Sequence, residues 1–130
     1  MMTKQKFHYE IDLASMPPGL DRAVLRVISK ITAEKPISRD KLVIGVHSLG
    51  FAANERQIRE TIKKLRRQGY LICATPGENG GYYMAMNASE YQDFRNSEYA
   101  AKIKDMSETM RAMDQAAKQQ FGDGVQIGLF

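Results

Sequence analysis

A sharply two-sided segment that runs straight into a hairpin signal restricts the fold of this chain more than any other feature. After Asn54, the residues Ile58, Ile62 and Leu65 fall within a narrow arc at about 100° per residue. Arg56, Arg59, Glu60, Lys63, Lys64 and Arg67 occupy the opposite face. Asn54 is a natural helix N-cap, and Gln57 stands where its side chain can return a hydrogen bond to the Asn54 amide, forming a capping box. Gly69 supplies the stop. Two β-prone runs, residues 70–75 and 82–86, then flank Pro76-Gly77-Glu78-Asn79-Gly80-Gly81, which has the composition of a hairpin loop.

Upstream of this unit, residues 1–19 form a polar arm ending in Met16-Pro17-Pro18-Gly19, where two prolines bar a continuous helix. From Asp21, the residues Val24, Leu25, Val27, Ile28 and Ile31 recur at helical spacing, predicting a first helix that stops before Lys35-Pro36. Ser38 then caps a second helix with Leu42, Val43 and Val46 inward, ended by Ser48-Leu49-Gly50. The predicted class is mainly α with a small β-hairpin. The predicted divisions are an N-terminal arm (1–19), a three-helix and hairpin domain (20–87), a long helix (88–121) and a tail (122–130).

Charge is concentrated on this domain. Between residues 22 and 67 there are twelve Lys and Arg against four Asp and Glu, an excess of +8, whereas the whole chain carries only +4 and the remainder therefore −4. A local excess of this size is the footprint of a surface that meets phosphates, although an exposed Lys/Arg face is in other proteins often just solvated. Enzymatic function finds no foothold: there is no P-loop, paired-carboxylate motif or nucleophile elbow. His8 and His47 lie far apart and suit surface or capping roles. The single cysteine, Cys73, sits in an apolar run that favours a buried, inert thiol. No catalytic residue, metal site or cofactor is expected. Neither a membrane-spanning run nor a secretory signal is present, so the expected location is the cytoplasm, with no membrane partner.

Three helices followed by a hairpin, over about residues 20–87, resemble the winged helix-turn-helix superfamily, in particular small domains of bacterial and phage replication or regulatory proteins. That resemblance implies that the third helix enters the major groove of double-stranded DNA and that Arg56, Arg59, Glu60, Lys63, Lys64 and Arg67 form the DNA-binding set. Arg56 and Arg59, near the helix start, are then the expected base readers. Glu60 either accepts from cytosine N4 or pairs with Lys64 within the helix. The hairpin loop departs from the family pattern: its one charged residue is Glu78.

Asn87-Ala88-Ser89-Glu90 repeats the capping signal and opens a segment without Gly or Pro until Gly122, predicting a helix of roughly 33 residues, about 50 Å long. Tyr91 and Phe94 are expected to pack on the domain. Beyond them Tyr99, Ile103, Met106, Met110, Met113, Ala117 and Gln120 are spaced alternately by four and three, an a/d heptad seam. This predicts a homo-oligomer; the alternative is a stripe that folds back on its own domain. The flanking Lys102, Ser107, Thr109 and Asp114 do not separate parallel from antiparallel pairing.

Gly122-Asp123-Gly124 is a hinge, after which Gln126-Ile127-Gly128-Leu129-Phe130 closely resembles the bacterial sliding-clamp-binding peptide. The resemblance implies that Gln126 hydrogen-bonds at the rim of a clamp pocket, that Leu129 and Phe130 fill an apolar cleft, and that Ile127 is a secondary anchor. A tail packed on a neighbouring protomer is the alternative. Together these features lead to the expectation of a non-enzymatic DNA-binding winged-helix protein, a phage, prophage or bacterial replication accessory factor tethered to the clamp. A transcriptional regulator and a protein–protein adaptor of the same fold are the rival expectations.

Overall fold

Helix α1 (Leu20–Ile28) begins directly after the Pro-Pro-Gly break, α2 (Arg39–Ser48) follows Ser38, and α3 (Glu55–Arg67) follows Asn54 in the computed structural model, which describes residues 13–128. Strands β1 (Ile72–Thr75) and β2 (Gly81–Met84) pair antiparallel, with Ile72 opposite Met84 and Thr75 opposite Gly81. Helix α4 (Ala88–Phe94) completes the first of two compact units, the second starting at Arg95. Among the described residues the protein is mainly helical, with one small sheet and a long C-terminal helix.

Local chemistry sets the helix ends. The Ser38 hydroxyl accepts from the Lys41 amide at 3.2 Å. At α3 the capping box is complete, the Gln57 amide donating to Asn54 at 2.8 Å and the Asn54 amide to Gln57 at 2.9 Å. Gly50 and Gly69 follow α2 and α3 with φ of 95° and 98°, the left-handed conformation that a side chain resists.

Helix α1 ends at Ile28, short of the expected boundary at Lys35-Pro36, because the next residues are drawn into pairing with the sheet. The Ile31 carbonyl accepts from the Met84 amide, and Ile37 and Tyr82 exchange two hydrogen bonds of 2.9 Å. Ile31 is accordingly half-buried outside any helix rather than on a helix face. The strands are also shorter than the runs 70–75 and 82–86. Two glycines of the loop are required by crowding: a Cβ on Gly80 would stand 2.0 Å from the Thr75 carbonyl oxygen, and one on Gly81 2.1 Å from that of Ile37.

The sheet has two buried faces. Ile72 and Met84 join Val24, Leu25, Ile28, Leu42, Val46, Ile58, Ile62 and Leu65 in the main core. Cys73, Tyr83 and Ala85 point the other way and are covered by Phe94 of α4. Thus Phe94 packs as expected, whereas Tyr91 stays 37% exposed.

In the second unit, Arg95–Ala100 is wound as a π-helix and Ala101–Phe121 as α5. The predicted helix of residues 88–121 is therefore not of one winding; nothing in its composition marks the change. A 3₁₀ turn, Gly122–Gly124, ends α5 at the predicted hinge, with φ of 62° at Gly122. No helix among the described residues is long and apolar enough to cross a membrane.

Candidate nucleic-acid interface

The outer face of α3 is set by its inner one. Ile58, Thr61, Ile62 and Leu65 are buried, and burial of each apolar side chain contributes roughly 2 kcal/mol toward holding the helix in one orientation. Thr61, unremarked in the sequence pattern, donates its hydroxyl to the Gln57 carbonyl at 3.0 Å and so is satisfied within the helix. With these positions inward, helical geometry aims Arg56, Glu60, Lys63 and Arg67 directly outward, with Arg59 on one flank and Lys64 on the other. All six are exposed. Among the described residues no ion pair engages Arg56, Arg59, Lys63 or Arg67, so four cations share this face with the single carboxylate of Glu60.

Lys64 differs from the other members of the set. Its Nζ lies 2.7 Å from the Asp21 carboxylate at the start of α1. The intrahelical Glu60–Lys64 pair is replaced by this contact between helices, which a local pairing rule cannot foresee. A second ion pair, Arg39–Glu55 at 3.2 Å, joins the first turns of α2 and α3. Arg39 also lines, with Thr75, Gly77, Gly80 and Tyr82, a shallow recess of about 220 Å³ beside the hairpin loop. Sequence alone places Arg39 in the basic count but not beside that loop.

Arg66 belongs to the structure rather than to the outer face. Its Nε donates to the Ile72 carbonyl at 2.7 Å, and its guanidinium carbon stands 5.0 Å from the centre of the Phe94 ring. One side chain thereby joins α3 to β1 and to α4. His47 is likewise structural, its Nε2 being 2.8 Å from the Ala53 carbonyl oxygen. His8 lies outside the described residues.

Cys73 is buried, and burial pushes its thiol up to about 11 from an ordinary 9.0, against the opposing pull of the Arg66 charge. At neutral pH it is a thiol, not a thiolate. Burial also raises the Tyr83 phenol. Both groups belong to the second core cluster.

The hairpin loop presents Glu78 to solvent and contains no cation. Beyond the hinge, Val125 is half-buried, Gln126 and Gly128 are exposed and Ile127 is 48% exposed. Leu129 and Phe130, the remaining members of the tail set, lie outside the described residues. Of the expected seam, Tyr99, Ile103, Met106, Met110 and Met113 are exposed, Ala117 is half-buried and Gln120 is exposed. Comparison of the chain with protein-family models, curated proteins and solved structures gives no match.

Proposed function

We propose that this chain is a duplex-DNA-binding protein of winged-helix type, with α3 as its recognition helix. The observation that carries the reading is the outer face of α3. Arg56, Arg59, Lys63 and Arg67 lie together, exposed and without ion pairs among the described residues, on a helix fixed at its start by a double cap and along its length by a buried face. Cations so arranged meet phosphates without first breaking internal pairs, and the two at the helix start are placed to reach base edges. The Ile37–Tyr82 bridge supports the winged-helix element of the proposal, because it adds a third extended segment to the hairpin.

The tail supports a replication setting for this activity. Gln126-Ile127-Gly128-Leu129-Phe130 has the residues of a sliding-clamp peptide in the required order and follows a glycine hinge. The proposed role is thus that of a non-enzymatic accessory factor brought to replicating DNA by the clamp. Glu78 favours a second reading, an adaptor whose hairpin loop meets protein, since an acidic loop repels phosphates.

A titration of ¹⁵N-labelled protein with a short duplex tests the DNA reading. Shifts should concentrate on the amides of Arg56, Arg59, Lys63 and Arg67. Shifts confined to the hairpin loop or to α5, or none at all, would replace it with the adaptor reading.

A further inference from the structure

Helix α5 buries none of its residues, although it carries a row of large apolar side chains: Ile103 is 64% exposed, Met106 70%, Met110 37% and Met113 68%. The row is not scattered. Its spacings of three and four keep it on one stripe of the helix, and such a stripe fits the holes of another helix with the same repeat. The chain itself supplies that helix in a second copy.

The flanks of the stripe permit this pairing. Ser107, Thr109 and Ala116 are small and uncharged, Asp114 is the one acid among the flanking residues, and Lys102 is held at 2.6 Å to Glu98 in the preceding π-helical segment. Lys104, Glu108 and Arg111 lie on the far side, so no row of like charges opposes contact. Side-chain size then distinguishes the two orientations. Parallel, in-register pairing sets Ala117 against Ala117 and leaves a gap in the seam. Antiparallel pairing centred level with Glu108 sets Ile103 against Met113 and Met106 against Met110, and removes the Ala117–Ala117 gap by carrying each Ala117 to the other end of the partner helix. It also opposes the two helix dipoles instead of aligning them.

We propose that two copies of this chain associate through α5 as an antiparallel two-helix coiled coil, each Ile103 packing on Met113 of the other copy and each Met106 on Met110 of the other copy. A pair of 21-residue helices is about 31 Å long, and its seam falls at or below the low end of stable interfaces, about 1,200 Å² in total. Association is therefore concentration-dependent. It is independent of the DNA-binding reading, because none of its residues lies on α3.

The test uses the full chain. Sedimentation velocity from about 1 to 200 μM should show a monomer–dimer equilibrium, and Met106→Glu with Met110→Glu should leave a monomer at every concentration. Orientation is read from mixing two single-cysteine additions under mild oxidation. Ile103→Cys alone and Met113→Cys alone should give no disulfide-linked dimer, because like positions lie about 15 Å apart in the antiparallel pair, beyond the ~7 Å reach of a disulfide. Their mixture should give one. Cross-linking of each variant with itself would overturn the antiparallel assignment in favour of a parallel pair. A mixture that fails to cross-link, or a parent chain monomeric at 200 μM, would overturn the proposal altogether.

Discussion

Lys63 and Lys64 are adjacent in sequence and equally basic, yet their surroundings predict different losses on replacement. Lys63 points outward between Arg59 and Arg67 with no ion pair among the described residues, whereas Lys64 is bound to Asp21 at 2.7 Å. If Lys63 meets one phosphate, its removal forfeits about 0.9 of a released counterion, which at ~0.1 M salt corresponds to roughly an eightfold loss of affinity. Lys64 must leave Asp21 before it can contribute. The pair is partly solvated, with side-chain exposures of 59% and 32%, and so contributes at most about 1 kcal/mol to stability. Lys64→Ala should accordingly change DNA affinity less than about twofold and lower stability slightly. Asp21→Ala should act in the opposite direction, freeing the ammonium and raising affinity by up to roughly the same eightfold. Fluorescence anisotropy on one duplex at fixed salt, with thermal melts as a folding control, measures all three. Equal losses for Lys63→Ala and Lys64→Ala, or weaker binding by Asp21→Ala, would refute the assignment of the two lysines.

The other perturbations separate structure from recognition. Arg66→Ala should destabilise the first unit by about 2 kcal/mol in denaturant unfolding, since the Ile72 carbonyl loses a charged donor and Phe94 its cation, while DNA affinity changes little. The Cys73 thiol is raised to about 11 in the fold, and an unfolded chain releases that proton first, near 9.0. Stability should therefore be unaffected by this group below pH 9 and fall between pH 9 and 11, by an amount on the order of 1–3 kcal/mol, a fall that Cys73→Ala should reduce. Leu129→Ala with Phe130→Ala should abolish calorimetric binding to a bacterial sliding clamp, expected in the micromolar range for so short a peptide, while leaving DNA binding intact.

What could be read from the sequence was what neighbouring residues decide. Ser38 and Asn54 cap their helices through atoms three residues away, and the inner face of α3 follows from its own period. The glycines at 50, 69 and 122 end helices where expected because their conformations are local. At Asn87 the signal held in altered form: Asn87 accepts from the Glu90 amide, but Glu90 reaches back to the Met86 amide rather than to that of Asn87.

Partners distant in sequence decided the rest. The segment after Ile28 has helical periodicity, but pairing of Ile31 and Ile37 with β2 outweighs it. Lys64 chose Asp21 over Glu60 because folding brings α1 beside α3. Arg66 counts as one more cation in the sequence, yet it stands at the edge of the buried face, where a strand carbonyl and an aromatic ring are within reach. The π-helical turn of residues 95–100 has no Gly or Pro to announce it.

The salt dependence of duplex binding tests most directly whether the outer face of α3 meets DNA. With Arg56, Arg59, Lys63 and Arg67 each on a phosphate, a plot of log K against log salt should have a slope of about −3 to −4 for the parent protein, and Lys63→Ala alone should reduce its magnitude by about 1. The quadruple alanine variant, folded by its melting curve, should bind too weakly for a slope to be defined. A quadruple variant that retains both the affinity and the slope of the parent would place the DNA contact elsewhere and contradict the account.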